Sequence, residues 1–140
     1  MEHTAPKTVT WERVPVGRLL RVGAVAAAMS ASANALVLAI ASSLLGAVVI
    51  PPDETVTFGQ VAGASVAGAV GAVVIFAVIS RFTQRPIRIF LGVAAVGLLL
   101  SFLPIALAGA TGSSAGTLAL MHVVAAATNV GLLMALDRKR

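Results

Sequence analysis

Cysteine is missing from this chain altogether. That excludes disulfides, thiolate metal ligation and cysteine nucleophiles, and it says little about compartment. Charge is scarce as well: 11% of residues are charged, where a soluble domain carries roughly 25%. With 59% hydrophobic residues and a mean hydropathy of +1.01, the chain is not a water-soluble globule. Histidine occurs only at His3 and His122. His3 lies in the polar N-terminal tail, so one chain cannot assemble a histidine-rich zinc site, and no metal site is expected. Acidic residues number five, none inside a long apolar run. Hydrolytic chemistry therefore lacks the carboxylate that would orient His122 as a base. The sequence contains no nucleotide-binding loop, no soluble domain and no convincing internal repeat.

What is present is four long apolar runs with basic residues between them. Val22–Ile50 has no charged residue over 29 positions. The others are about 58–80, 89–110 and 117–136, each near the roughly 20 residues that a spanning helix needs. Lys7, Arg13, Arg18 and Arg21 precede the first run, Arg81, Arg85 and Arg88 separate the second from the third, and Arg138, Lys139 and Arg140 follow the fourth. Asp53 and Glu54 stand alone between the first and second runs, and "GATGSSAG" between the third and fourth is uncharged. All ten basic residues thus fall on one side of a four-span arrangement. This is the positive-inside pattern, and it predicts cytoplasmic termini. It also accounts for the net charge of +5 without nucleic acid.

The first run would reach roughly 43 Å as a helix, longer than the roughly 30 Å hydrocarbon core. It must tilt, project, or end before Pro51-Pro52, with "SSLLG" at 42–46 a weak point. "ASA" at 31–33 resembles a signal-peptide cleavage site, but the apolar run continues to Ile50, past where a secretory peptide ends. Trp11 reads either as an interfacial anchor or as part of a loose tail. "PPDETVTFGQ" is expected to be a short external loop in which Thr55 or Thr57 caps the second helix.

Small residues recur at helical spacing. Gly59 and Gly63 form a GxxxG, followed by Ala64 and Gly68, then Ala67 and Gly71. Ala24, Ala28 and Ser32 repeat the spacing on the first helix; Ala94, Gly97 and Ser101 do so on the third. Packing among the four helices is the favoured reading, and a homo-oligomer interface the alternative, because such motifs mark close contact without naming the partner.

A polar layer emerges when each helix is measured from its nearest inner charge. Asn34 is 13 residues from Arg21, Ser65 is 16 from Arg81, Ser101 is 13 from Arg88 and His122 is 15 from Asp137. These offsets correspond to roughly 20–24 Å along each helix. Ser30 and Asn34, and likewise His122 and Asn129, share a helix stripe. Pro104 leaves the Leu100 carbonyl without its usual donor at the same level. Lipid offers these groups no partner, so they should turn inward. The favoured reading is a structural cluster in which Asn34 or a serine satisfies His122 and Asn129 bonds across helices. The alternative is a ligand or proton site centred on His122. A haem ligated by His122 from two protomers has no other support, and no cofactor is expected.

"RFTQRPIRIF", "LLLSFLPI" and "LALMHVVAA" resemble, in that order, an uncharacterised family of small bacterial four-helix membrane proteins, a domain of unknown function. The likeness covers about residues 18–137, and its motif positions are Arg85, Pro86, Phe90, Ser101, Pro104, Met121 and His122. The resemblance implies four spans and a bacterial inner membrane, and it carries no activity, substrate or cofactor. The expected architecture is all-α: an integral-membrane four-helix bundle with both termini cytoplasmic. A tail at 1–16 precedes the transmembrane domain at 17–137, whose helices cover about 22–48, 58–80, 89–110 and 117–136. A basic tail follows at 138–140. The expected function is that of a non-enzymatic membrane subunit or scaffold. The alternative is a small transporter or channel moving a proton or small solute past His122. The partners expected are the bilayer and either a second copy or another membrane protein.

Overall fold

A computed structural model describes residues 15–110 and 112–137. The tail with His3, Lys7, Trp11 and Arg13, and the basic cluster Arg138–Arg140, lie outside the described residues. Four helices, α1 (Val16–Leu45), α2 (Phe58–Phe82), α3 (Pro86–Leu107) and α4 (Gly112–Asp137), are joined in sequence, with two short strands, β1 (Val49–Ile50) and β2 (Glu54–Thr55), between α1 and α2. All four helices are long and apolar enough to cross a membrane. The class is all-α, as the sequence predicts.

Local chemistry sets the helix ends. α1 begins after Pro15, ahead of the apolar run, so that Arg18 and Arg21 lie in its first turns. Long arginine side chains carry their charge beyond the apolar zone, and the helix is not obliged to start where hydrophobicity does. It stops at Leu45, within "SSLLG", where Gly46 takes φ +90°, a backbone conformation suited to glycine. Thr57 closes a capping box on α2: its hydroxyl accepts from the Gln60 amide at 3.3 Å, and the Gln60 side-chain oxygen accepts from the Thr57 amide at 2.8 Å. Pro86 opens α3 and holds Arg85 out of the helical region, which separates α2 from α3. α3 continues through Pro104 to Leu107.

The expected external loop is a hairpin. β1 and β2 pair antiparallel, Val49 with Thr55 and Ile50 with Glu54. The Val49 amide donates to Ser114 Oγ of α4 at 3.1 Å, tying the hairpin to the neighbouring helix start.

The buried stripe of α1 is Leu19, Ala26, Ser30, Asn34, Leu38 and Ala41, and α2 answers with Val61, Ser65, Ala69 and Phe76. Two apolar clusters form the core. Leu19, Phe76, Phe90 and Leu133 gather at the end bearing Arg18, Arg21 and Arg81–Arg88. Leu38, Ala41, Val48, Val61 and Met121 gather at the hairpin end. α3 is peripheral, since Phe90 is its one buried residue. It meets α2 edge-on, with the Phe76 and Phe90 ring centroids 5.4 Å apart.

The glycine reading needs correction. A methyl group placed at Gly63, Gly68, Gly71 or Gly97 would find no heavy atom within 4 Å, and one at Gly59 would find only the Thr57 hydroxyl, at 3.9 Å. These glycines do not mediate packing among the described residues. Successive residues on a helix are turned by about 100°, so Gly68 lies well away from the stripe of fully buried Ala69. Ala24, Ala28 and Ser32 are likewise exposed. Close approach occurs instead at Gly23, where an added Cβ would lie 2.9 Å from Val73 Cγ2 of α2.

Candidate functional site

Between the two apolar clusters the helices do not close. A cavity of about 650 Å³ separates α2, α3 and α4, with Asn34 of α1 behind it and Ile50, Val56 and Gln60 at its hairpin end. Its volume falls in the range of small-molecule sites. Ala64, Gly68 and Gly97 line it and are also exposed, so it opens sideways between α2 and α3. Small side chains on the facing sides of α2 and α3 create this hollow, since they leave the intervening space unfilled.

All five residues of the expected polar layer, Asn34, Ser65, Ser101, His122 and Asn129, line this one cavity. They are not joined into one network. Asn34 is 5% exposed and donates from Nδ2 to Ser65 Oγ at 3.2 Å, a buried bond between α1 and α2. The others bond back to their own helices. Ser101 Oγ donates to the Leu98 carbonyl at 2.6 Å, His122 Nδ1 to the Leu118 carbonyl at 2.7 Å, and Asn129 Nδ2 to the Ala125 carbonyl at 2.9 Å. The expected bonds from His122 to Asn34 or a serine, and from Asn129 across helices, are therefore absent. A carbonyl one turn back is always within reach, whereas a group across a hollow is not.

These partners fix the chemistry that remains. A carbonyl has no proton, so Nδ1 of His122 must supply it, and the neutral ring then presents Nε2 as an acceptor. The same argument orients the Asn129 amide, leaving Oδ1 as the acceptor. Asn34 Oδ1 and Asn129 Oδ1 are both buried without a hydrogen-bond partner. His122 is half-buried beside Phe102, ring centroids 6.5 Å apart, and its Nε2 has no partner among the described residues. No charged side chain among the described residues lines the cavity.

Two polar residues of the region were not assigned to the polar layer from the sequence. Ser30, identified only by its stripe, is fully buried with its hydroxyl unpartnered. Gln60, at the hairpin end of the cavity, was legible as the third residue after Thr57 in a capping box. Its side-chain nitrogen also donates to Glu54 of β2.

No curated protein and no solved structure gives a significant match to this sequence. One family profile does match: "Family of unknown function (DUF6069)", over residues 14–139, which takes in all four helices and every residue of the cavity wall. By the extent of that match, this four-helix chain belongs to the DUF6069 family.

Proposed function

We propose that the protein is a non-enzymatic subunit of the bacterial cytoplasmic membrane that holds an apolar small molecule in the cleft between α2, α3 and α4. One observation carries the reading: five polar side chains from four helices converge on a single cavity whose remaining wall, Gln60 at the hairpin end apart, is apolar. A structural cluster alone would close around its hydrogen bonds, whereas half-buried Ser101 and His122 here line open volume. The distribution of lysine and arginine supports both termini in the cytoplasm. The unfilled GxxxG edge at Gly59 and Gly63 supports contact with a second copy or another membrane protein.

The test is to extract the protein with its surrounding lipid, without detergent, and identify the bound organic molecules by mass spectrometry. A stoichiometric apolar compound should accompany the native chain and be depleted in Gly97→Leu, whose side chain starts from open space at the cavity wall. The same bulk lipid in both samples would overturn the reading. Transport of a proton or small solute is the second reading, favoured by the unpartnered Nε2 of His122. It requires flux across reconstituted liposomes that disappears in a folded His122→Leu variant.

A further inference from the structure

The cleft has a length as well as a volume, and its proportions bear on the occupant, given that it is a binding site as proposed above. Its wall recurs on every turn, from Gln60 to Ile75 on α2, Phe90 to Ser101 on α3 and Leu118 to Val130 on α4. At about 1.5 Å per residue these stretches run roughly 17–22 Å, so the hollow is a trough along the helices. Gly68, Gly71 and Gly97, spaced along it, would each leave an added Cβ with no neighbour within 4 Å. Spread over that length, a volume of about 650 Å³ leaves a mean section of roughly 30–40 Å². A polymethylene chain, with neighbours at a carbon contact distance of about 4 Å, takes up roughly 20 Å². One chain fits with clearance, whereas two side by side would need the widest section along the whole trough.

The two ends differ. Ile75, Phe90 and Val130 are the last wall residues, and beyond them Phe76, Phe90 and Leu133 are buried in one apolar cluster that forms a floor. At the hairpin end Gln60 is exposed, and α3, buried only at Phe90, stands off from α2. We infer that the trough takes one extended hydrocarbon chain, that of a single-chain lipid, with its methyl end on Phe90 and its head at the level of Gln60. An extended chain advances about 1.2 Å per bond, so roughly 14–18 carbons run from floor to open end. A charged head stays outside, because the wall carries no charged side chain to pair with it. Along α2 the floor at Ile75 lies about 9 Å from Arg81 and the open end at Gln60 about 31 Å from it, so the trough crosses the bilayer midplane. A phospholipid seated in one leaflet commands only about half of the roughly 30 Å core and leaves the floor unfilled.

The inference is tested with the full native chain in nanodiscs of deuterated phosphatidylcholine. Octyl, hexadecyl and tetracosyl methyl ethers are added, each with a ¹³C-labelled terminal methyl group, and magnetisation transfer from that methyl to backbone amides is measured. The hexadecyl methyl should give saturable transfer to Phe90 and Ala94, and the octyl methyl should stop near Gly68 and Gly97. Half-saturation for hexadecyl should come at about fourfold lower membrane mole fraction than for octyl, as eight added methylenes each gain roughly one carbon contact. Tetracosyl should bind no more tightly than hexadecyl. Equal transfer to exposed Met29 and Leu36 of α1 would mean ordinary lipid contact and would overturn the inference. The same Phe90 contacts from methyl-labelled phosphatidylcholine alone would overturn it too, in favour of a leaflet lipid. If no ether reaches the trough while a co-purified compound is still depleted in Gly97→Leu, the chain assignment falls and the binding site stands. No contact and no such compound removes the site itself.

Discussion

Asn34 and Ser65 make a buried side-chain bond between α1 and α2. Bonds of this kind inside a bilayer contribute about 0.6–2 kcal/mol. Asn34→Leu should therefore lower the unfolding free energy by about 1 kcal/mol in denaturant titration of the reconstituted protein, and Ser65→Ala by a similar amount. The two losses should not add, because each removes the same bond. Gly23 supplies a second residue-level test. Alanine in place of glycine gains about 1 kcal/mol of helix propensity, and Gly71→Ala should show that gain because its surroundings are open. Gly23→Ala should fall at least about 1 kcal/mol short of Gly71→Ala, since its Cβ meets the stiff, β-branched Val73. Val73→Ala in the same chain should restore the difference. The residues of the polar layer were legible from depth alone, because a charged residue marks one end of each helix and the rise per residue is fixed. Their partners were not legible. Spacing gives height and stripe, but whether His122 reaches a neighbouring helix or its own Leu118 carbonyl depends on the gap between helices.

At the level of elements, the helices differ in how firmly they are held. α1 runs between α2 and α4 and contributes a continuous buried stripe, while α3 is fixed mainly through Phe90. In lipid the loss of a buried phenylalanine is chiefly a loss of packing and edge-to-face contact, on the order of 1 kcal/mol or more. Phe90→Ala should raise hydrogen exchange in α3 selectively, leaving α1 and α2 protected; uniform loss of protection would contradict a peripheral α3. The α2 cap offers a separate measurement: Thr57→Ala should cost about 1 kcal/mol and increase exchange in the first turn of α2 alone. Helix number and approximate extent were readable from apolar runs and charges. The start of α1 was misjudged because the apolar run was taken to begin where charge ended, although an arginine can occupy the first turns of a spanning helix. Small residues misled for a related reason. Gly68, Gly71 and Gly97 are compatible with tight contact or with empty space, and the sequence does not distinguish the two.

For the molecule as a whole, the lack of cysteine turns topology into a clean measurement. Single cysteines introduced at Asp53 in the hairpin and at Thr83 between α2 and α3 are the sole labelling sites in their respective chains. A membrane-impermeant thiol reagent applied to intact cells should modify Asp53→Cys and spare Thr83→Cys until the cells are broken. The reverse pattern would invert the proposed orientation of all four helices.

The sideways mouth of the hollow changes what affinity means for this protein. Under the proposed function, a guest that arrives through the acyl chains would already be partitioned, so occupancy would follow its abundance relative to phospholipid, and diluting the surrounding water at constant membrane composition would leave it unchanged. Under the proposed function, exposed Gly68 and Gly97 at that mouth would limit the profile that passes, and acyl order and thickness would govern how fast exchange occurs.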